Sequence, residues 1–511
     1  MTASRASGEA PGPSEATKLG IAGVGAYAPD YRLTAEAITE AWGQFQGAGI
    51  SETAVPAGDE DTLTMAYEAA QRALEAADVD PGTITHLLLG TTTPPYEEEA
   101  LGPRLTSFLG LASSLESRQF TGSTRVGADA LRTGLETATD GAVLVVASDA
   151  PRGAPSDEHE HAGGAGAAAL VLTPNGPGRV TDAGEYVDAV PGIRYREAGS
   201  RETTGLDITQ YDRDAYTDAV ASAVEGLESS LQDVDAVCLQ SPNGKLPYRA
   251  ASALGGDAER IQAGTTVHDI GDTGAASTLL GLAKALEAGH RSLGLVAYGS
   301  GGGAIAMRLE VGGGDADGGD ETDAGGDSNS SDSVPVETAL EGNRTLSYGE
   351  YLRIRGDVTP GEPDGGGAYV SVPSWKRTMA QRHRLVAGRC RECGRLAFPP
   401  SGACRECGTL DEYDDVELPG TGTVEAATVI GQGGAPPEFV EQQAREGAFV
   451  SAVVALDGPE PDDEPVSTPT QVLTPDTASV SVGDSVDATV RRIYTQEGVT
   501  RYGFKMQLLE S

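Results

Sequence analysis

Cysteine is scarce in this chain, with five in 511 residues, and lysine is as rare: Lys18, Lys245, Lys284, Lys376 and Lys505 are the whole set. Phenylalanine, methionine and tryptophan number 7, 5 and 2. So few cysteines in so long a chain exclude a fold stapled by disulfides. The 36 basic residues face 77 acidic ones, a formal net charge of -41, which argues against DNA or an anionic membrane as partner. The acids are spread along the whole chain rather than gathered in one tail. An acidic, lysine-poor surface is what keeps a protein hydrated in molar salt, so the composition predicts a halophilic protein. No apolar run is long enough to span a bilayer, and residues 1–16 are polar with no hydrophobic segment. The expectation is therefore a cytoplasmic protein.

Where the few cysteines stand is informative. Cys390-Arg-Glu-Cys393 and Cys404-Arg-Glu-Cys407 are two CxxC knuckles separated by ten residues that include glycine and proline. Each such turn presents two sulfurs to one ion, and the spacer lets the second fold back on the first. Two disulfides are the alternative, disfavoured where thiols stay reduced. Four thiolates fill a zinc ion's shell and leave no position for water, so a zinc held by Cys390, Cys393, Cys404 and Cys407 is structural. Only Cys238 is left for thiol chemistry, and its apolar surroundings AVCL predict a buried core residue.

Along the chain, a Ser/Ala/Gly/Pro tail over 1–17 reads as disordered. Strands are expected at 20–27, 84–89, 142–147, 163–172, 236–239, 292–297 and 304–309. Helices are expected at 61–77, 213–231, 250–254 and 275–287. This alternation predicts an α/β fold, and the shared rhythm of its halves predicts an internal duplication. Residues 312–334 are Gly/Asp/Ser-rich, too polar to bury a core, and read as a disordered insertion. A second flexible stretch covers 361–367. Residues 346–357 have helical spacing, and 374–387 form a basic, helix-like approach to the knuckles. Strands at 420–430, 448–456 and 486–494 predict a small barrel of the OB type over 411–511.

Several ordered stretches resemble the archaeal hydroxymethylglutaryl-CoA synthases of the thiolase superfamily. They are GIAGVGAYAPDYRL (20–33), DEDTLTMAYEAA (59–70), ASDAPRGAPSDEHEHAGGAGAAAL (147–170), SPNGKLPYRAASALG (241–255), HDIGDTGAASTLLGLAKAL (268–286) and VAYGSGGGAIAMRL (296–309). The resemblance covers 18–357 and implies a duplicated α/β/α/β/α domain that pairs with another thiolase fold, its own copy or an active thiolase or synthase. The stretch SWKRTMAQRHRLVAGRCRECGRLAFPPSGACRECG (374–408) resembles the zinc-ribbon/OB proteins that accompany thiolases and acyl-CoA enzymes. It implies a helical lead-in with a rubredoxin-like ribbon over 370–410, and acyl-CoA as a ligand.

The resemblance also implies a cysteine nucleophile at a helix N-terminus, a histidine that polarises the second acyl-CoA, and a glutamate that handles the methyl proton. In this chain the cysteine position falls on Gly122, with Ser123 and Thr124 as candidate substitutes. The histidine position falls on Gln240 or Ser241, and the glutamate position on Thr92, with Glu97–Glu99 a few residues on. Asp272 stands where the family has asparagine. His159 and His161 read as solvated residues of an acidic loop. Binding groups that do not depend on these positions are Asn243, Lys245 and the turn Gly299–Gly303, above all Gly299 and Gly301. The reading is an acyl-CoA-binding scaffold or channelling protein that does not itself condense acyl groups. The alternative is an active acyltransferase with unconventional residues. A nucleic-acid-binding OB protein is the third possibility, which the charge disfavours.

Overall fold

The computed structural model describes residues 19–137, 139–312, 334–359, 370–410, 412–431, 435 and 439–509. The tail over 1–17, residues 313–333 of the acidic insertion and the stretch 361–367 lie outside the described residues.

The first part of the chain forms β1 (Gly20–Tyr27), β2 (Tyr31–Thr34), β3 (Glu52–Val55), β4 (Ile84–Gly90), β5 (Glu116–Phe120) and β6 (Ala142–Asp149). It continues with β7 (Gly166–Thr173), β8 (Gly178–Tyr186), β9 (Ala236–Leu239), β10 (Ser292–Tyr298), β11 (Ala304–Val311) and β12 (Arg344–Leu346). Nine of these strands make one sheet in the order β5-β4-β6-β7-β1-β8-β11-β10-β9. The two halves meet at β1 and β8, and outward from that seam β7, β6, β4 are matched by β11, β10, β9. This is the duplication that the rhythm of the sequence predicts. β6 is buried along its whole length, as expected of a strand covered on both faces.

The helix Thr62–Ala77 covers one face of the first half. Asp61 caps it, accepting from the amides of Leu63 and Thr64 at 2.9 and 3.1 Å. It runs so close to β1 that a Cβ on Gly25 would lie 2.3 Å from the Ala69 carbonyl and one on Gly23 2.6 Å from the Ala77 amide. Glycine is required there by contact, not by backbone angle.

Three local expectations are corrected. The helix expected at 213–231 runs from Thr209 to Glu225 and stops where Gly226 packs against Gly184 of β8. The residues 250–254, expected as a helix, are turns; the helical turn is Leu246–Arg249, capped at Ala250, and Gly255 and Gly256, with φ of 89° and 79°, close the turns that follow. The basic stretch 374–387 is two short helices, Val372–Arg377 and Met379–Arg384. Leu385, at φ 55°, turns the chain out of the second.

Beyond Leu385 come β13 (Val386–Cys390), β14 (Leu396–Ala397) and β15 (Tyr413–Glu417), a three-stranded sheet in the order β14-β13-β15 that carries the cysteine knuckles. Then β16 (Thr421–Ile430), β17 (Phe449–Leu456), β18 (Val466–Leu473), β19 (Ser485–Gln496) and β20 (Val499–Leu508) close a five-stranded barrel in the order β16-β17-β18-β20-β19. Val424, Val450, Val454, Val472, Val486 and Met506 fill it.

The barrel docks on the sheet domain. Val490 and Tyr502 belong to the same apolar cluster as Leu63, Ala70 and Phe108. Around that contact, buried charges pair across the junction: Lys505 Nζ lies 2.6 Å from Asp59 and Arg491 lies 2.8 Å from Glu68. Burial alone would raise both carboxyls; the cations opposite them hold Asp59 and Glu68 below their usual range.

Candidate functional site

The positions to which the sequence points gather at the carboxyl ends of β4, β6, β9 and β10, the edge where open α/β sheets carry their ligands. Thr92 follows β4 directly. Its hydroxyl donates to Asp149 Oδ2 at 2.7 Å and its amide to Oδ1 at 2.6 Å. Thr91 and Thr93 donate their hydroxyls to the same carboxylate at 2.8 and 2.9 Å, and the Ala275 amide donates at 2.7 Å. Asp149 is fully buried, and this ring of donors compensates its charge. Thr92 thus ties two loops together and presents no base. Glu97 and Glu99 do not reach back: Glu97 accepts from the Gly199 amide at 2.6 Å and Glu99 pairs with Arg104 at 2.5 Å.

Gln240 is buried at the end of β9, with Ser241 beside it. Its Nε2 donates to Asp272 Oδ1 at 3.4 Å, while its Oε1 is buried without a partner. Asp272 also accepts from the Gly274 amide at 3.0 Å and pairs with Arg194. The 272–275 turn therefore connects Gln240 to the Asp149 cluster that holds Thr92. An amide in this place can orient a carbonyl but takes up no proton near neutral pH.

Gly122 lies in a turn at φ 89°, with open space where a side chain would begin. The helix after it starts at Val126, so Thr124 stands nearer the helix N-terminus than Gly122 does. The Thr124 hydroxyl donates to the Tyr298 carbonyl at 2.8 Å, and that of Ser123 to the Ser300 carbonyl at 3.3 Å. Neither hydroxyl has a hydrogen bond to an imidazole or carboxylate among the described residues, so neither has the base an alcohol nucleophile needs. Cys238 is fully buried, and burial pushes its thiol up to about 12, the inert state of a core cysteine.

His159 and His161 are not solvated. They sit on the short helix Glu158–Ala162. The ring of His161 is fully buried, stacks on Phe45 at 5.6 Å and accepts from the Gln46 amide at 2.9 Å. His159 Nε2 is buried without a partner, and burial followed by the charge of Arg194 holds its pKa below the usual histidine range. The acidic stretch folds back onto the domain, and packing overrides its polar composition.

Of the expected binding groups, Asn243 acts locally. Its Oδ1 accepts from the amides of Lys245 and Leu246 at 3.0 and 3.1 Å and starts the next helical turn. Lys245 is exposed. The turn between β10 and β11 passes close to its neighbours: a Cβ on Gly302 would lie 2.0 Å from the Asp188 backbone carbonyl, and one on Gly299 2.7 Å from the side-chain oxygen of Ser123. Gly301, at φ 88°, faces open space.

Sequence reasoning missed a cavity of about 760 Å³ between the sheet domain and the barrel. Thr93, Pro94 and Tyr96 line one side, Arg196 and Arg201 another, and Arg445 and Arg492 come from the barrel part of the chain. Arg196 also donates to the Thr92 carbonyl. The one signal for it was IRYREAGSRE over 193–202, with three arginines in an acidic chain.

In the ribbon, the sulfurs of Cys390, Cys393, Cys404 and Cys407 all lie within 4.8 Å of one another, with 3.6 Å between Cys390 and Cys407 and between Cys393 and Cys404. A tetrahedron of Zn–S bonds of about 2.3 Å places sulfurs about 3.8 Å apart, so the four thiolates fit the ion. The amides of Gly394 and Gly408 donate to the carbonyls of Cys390 and Cys404 at 2.8 and 2.9 Å and close the two knuckles alike.

Residues 377–411 match the ChsH2 rubredoxin-like zinc ribbon domain. The hydroxymethylglutaryl-CoA synthase of Methanopyrus kandleri is 32% identical over 320 residues, covering 58% of this chain and 89% of that protein. The synthase of Aeropyrum pernix is 32% identical over 363 residues, covering 68% of this chain and 97% of that protein. Among solved structures, MvaS in complex with 3-hydroxy-3-methylglutaryl coenzyme A aligns with a TM-score of 0.56 at 21% identity, over 68% of this chain and 94% of its own. The curacin pathway HMG synthase in complex with acetyl donor-ACP aligns with a TM-score of 0.52 at 19% identity, over 58% of this chain and 80% of its own. Those structures speak for the thiolase-like fold. No helix among the described residues is long and apolar enough to cross a membrane. With two relatives matched over nearly their full length at 32% identity, the chain belongs to the hydroxymethylglutaryl-CoA synthase family.

Proposed function

We propose that this chain binds acyl-CoA without condensing it, and works as a scaffold or channelling partner of a catalytically complete thiolase-fold enzyme. The observation that carries this reading is the state of the three reactive positions. Gly122 has no side chain, the hydroxyls of Thr92 and Thr124 are held by Asp149 and the Tyr298 carbonyl, and Gln240 has no titratable group. Thiolester exchange needs a thiolate or an activated alcohol, and carbanion formation needs a base near the methyl group; the strand-end cluster supplies neither. Lys245 and the glycine turn at 299–303 support binding, since shape and a solvent-facing cation do not depend on the lost groups. The sheet domain over 18–357 and the ribbon and barrel over 370–511 act as two units. Cys390, Cys393, Cys404 and Cys407 hold one structural zinc, which would fix the two knuckles and supply no chemistry. The composition supports a cytoplasmic protein of a halophile.

The test is incubation with labelled acetyl-CoA at high salt, followed by denaturation and mass spectrometry. No side chain should carry label, while equilibrium dialysis should show retained acetyl-CoA. One observation favours a second reading, an active acyltransferase with unconventional residues: His159 Nε2 is buried without a partner close to Arg194, which pairs with Asp272. Label on Ser123, Thr124 or Cys238, with turnover lost in His159→Ala, would establish that reading and overturn the first.

A further inference from the structure

The chain as a whole carries about two acids for each base, but the cavity between the sheet domain and the barrel does not. Six arginines line it, Arg152, Arg196, Arg201, Arg355, Arg445 and Arg492, against five carboxylates. Most of those carboxylates are engaged elsewhere. Glu60 faces Arg491 at 3.5 Å. Asp61 caps the helix Thr62–Ala77 and takes the Tyr502 hydroxyl at 2.7 Å. Glu97 accepts from the Gly199 amide at 2.6 Å. Glu441 remains for Arg445 alone.

Three of the guanidiniums have carboxylate partners, Arg152 with Asp357 at 2.7 Å, Arg355 with Glu160 and Asp357 at 3.0 and 2.9 Å, and Arg445 with Glu441; the other three are short of them. Arg201 makes no ion pair among the described residues, and neither does Arg196, whose NH2 donates to a backbone carbonyl. Arg492 approaches Asp61 only to 3.8 Å. The Nε groups of Arg152 and Arg445 are buried with no acceptor. Burial holds the guanidinium of Arg445 below its usual range, and the charges of Arg492 and Arg201 add to it; for Arg152 the causes are burial and then Arg355. Like charges brought together around empty volume at a cost in repulsion and desolvation are compensated by an anion.

We propose that this junction cavity is a binding site for a small phosphate-bearing polyanion of the pyrophosphate class, free or as part of an organic phosphate. Arginine's planar fork suits phosphate oxygens, and a volume of about 760 Å³ accommodates a nucleotide-sized molecule. Pro94, Pro95, Tyr96 and Tyr351 give it an apolar wall for the organic part. Its described lining residues include no lysine, cysteine or histidine, so its role is binding rather than covalent chemistry. Both parts of the chain contribute arginines, and an occupant neutralises repulsion across their junction. Because Thr93 lines the cavity and Arg196 holds the Thr92 carbonyl, the occupant also touches the loop that ends at the candidate centre.

This proposal does not rest on acyl-CoA binding, and titration calorimetry of the full, zinc-loaded chain separates the two. Pyrophosphate, coenzyme A and acetate are titrated at one fixed salt concentration. Pyrophosphate should bind, acetate should not, and a rise in salt should weaken pyrophosphate binding. Arg201→Gln removes an exposed side chain with no ion pair, so the variant should fold as the parent does and bind pyrophosphate at least threefold more weakly. Arg196→Gln with Arg445→Gln should weaken it tenfold or more. Arg308→Gln, outside the cavity lining and paired with Asp233 and Glu310, should leave it unchanged. If coenzyme A competes with pyrophosphate, the organic phosphate is the source; if it does not, the free polyanion is, and both results support the site. No pyrophosphate binding at millimolar concentration, equal binding of acetate, or parental affinity in both Arg201→Gln and the double variant would overturn it. Loss of acetyl-CoA binding with pyrophosphate binding intact would count against the proposed function alone.

Discussion

Asp149 shows how much one carboxylate organises at the candidate centre. It accepts from three threonine hydroxyls and from the backbone amides of Thr92, Thr93 and Ala275. Removing it leaves buried donors without an acceptor, each costing about 1–3 kcal/mol before relaxation. Asp149→Ala should therefore destabilise the sheet domain by roughly 3–5 kcal/mol, read as a drop in the denaturant midpoint, while the zinc content stays the same. Thr92→Glu is a sharper probe of this centre. A glutamate side chain would meet Asp149 across a few ångströms, and like charges raise one another's pKa. That variant should be less stable at pH 8 than at pH 5 relative to the parent, and on the proposed reading it should show no condensation of acetyl-CoA.

At the scale of elements, the helix Thr62–Ala77 is fixed by two contacts of opposite kind. On one side it lies against the glycines of β1, and on the other it receives the barrel. Gly25→Ala should cost about 2–3 kcal/mol or more, because its Cβ would meet backbone at Ala69 rather than a side chain that can move; thermal unfolding measures it. In the ribbon, β13 is buried against the barrel core but β15 is largely exposed and the two knuckles are short turns, so metal and fold are coupled there. Cys393→Ser should reduce bound zinc from about one ion per chain to a small fraction. It should expose 386–417 to proteolysis and leave the sheet domain cooperative. A folded ribbon without metal would sink the zinc assignment.

For the whole molecule, the junction is the part most sensitive to conditions. Glu446 accepts from the Gly58 amide at 2.7 Å and from Gln442 at 3.1 Å, and Asp59 and Lys505 also face it. Burial, then the charge of Asp59, raises its carboxyl to about 7. An acid whose pKa is higher in the folded state contributes stability that is complete below its unfolded value, near 4.5, and is lost as pH rises through about 7. The residue keeps some exposure at its edge, so the effect is discounted to roughly 1–3 kcal/mol. Docking of the barrel should weaken between pH 5 and 8, and Glu446→Gln should flatten that dependence; calorimetric unfolding across this range decides it. Asp59 and Glu68 act in the opposite direction, since their depressed pKa values give stability that is lost only as pH falls through the acid range. The buried Lys505–Asp59 pair fixes where the barrel sits. Lys505→Met would leave Asp59 buried without its cation and should cost about 3–5 kcal/mol.

Much of the architecture was legible along the chain. Short apolar runs alternating with helical stretches are local patterns, and they carried the duplicated α/β sheet, the ribbon and the β-rich end. The knuckle spacing carried the four-sulfur cluster, because ligands close in sequence need little help from the fold to meet. AVCL predicted a buried Cys238 for the same reason: strand burial is written in neighbouring residues. What failed or stayed hidden depends on residues far apart. His159 and His161 read as solvated because their neighbours are acidic, yet packing buries the ring of His161 against Phe45 and the Nε2 of His159 near Arg194. Asp59, Glu68, Arg491 and Lys505 look like surface charges one at a time and become buried pairs only when the barrel docks. The arginine cavity needs six residues spread from 152 to 492. Sequence by itself determined the sheet and the four-sulfur cluster, which rest on periodicity and spacing, and the family, which rests on the likeness of whole stretches to known synthases; only the tertiary structure decided which charges lose their water, because burial is a property of the assembled chain.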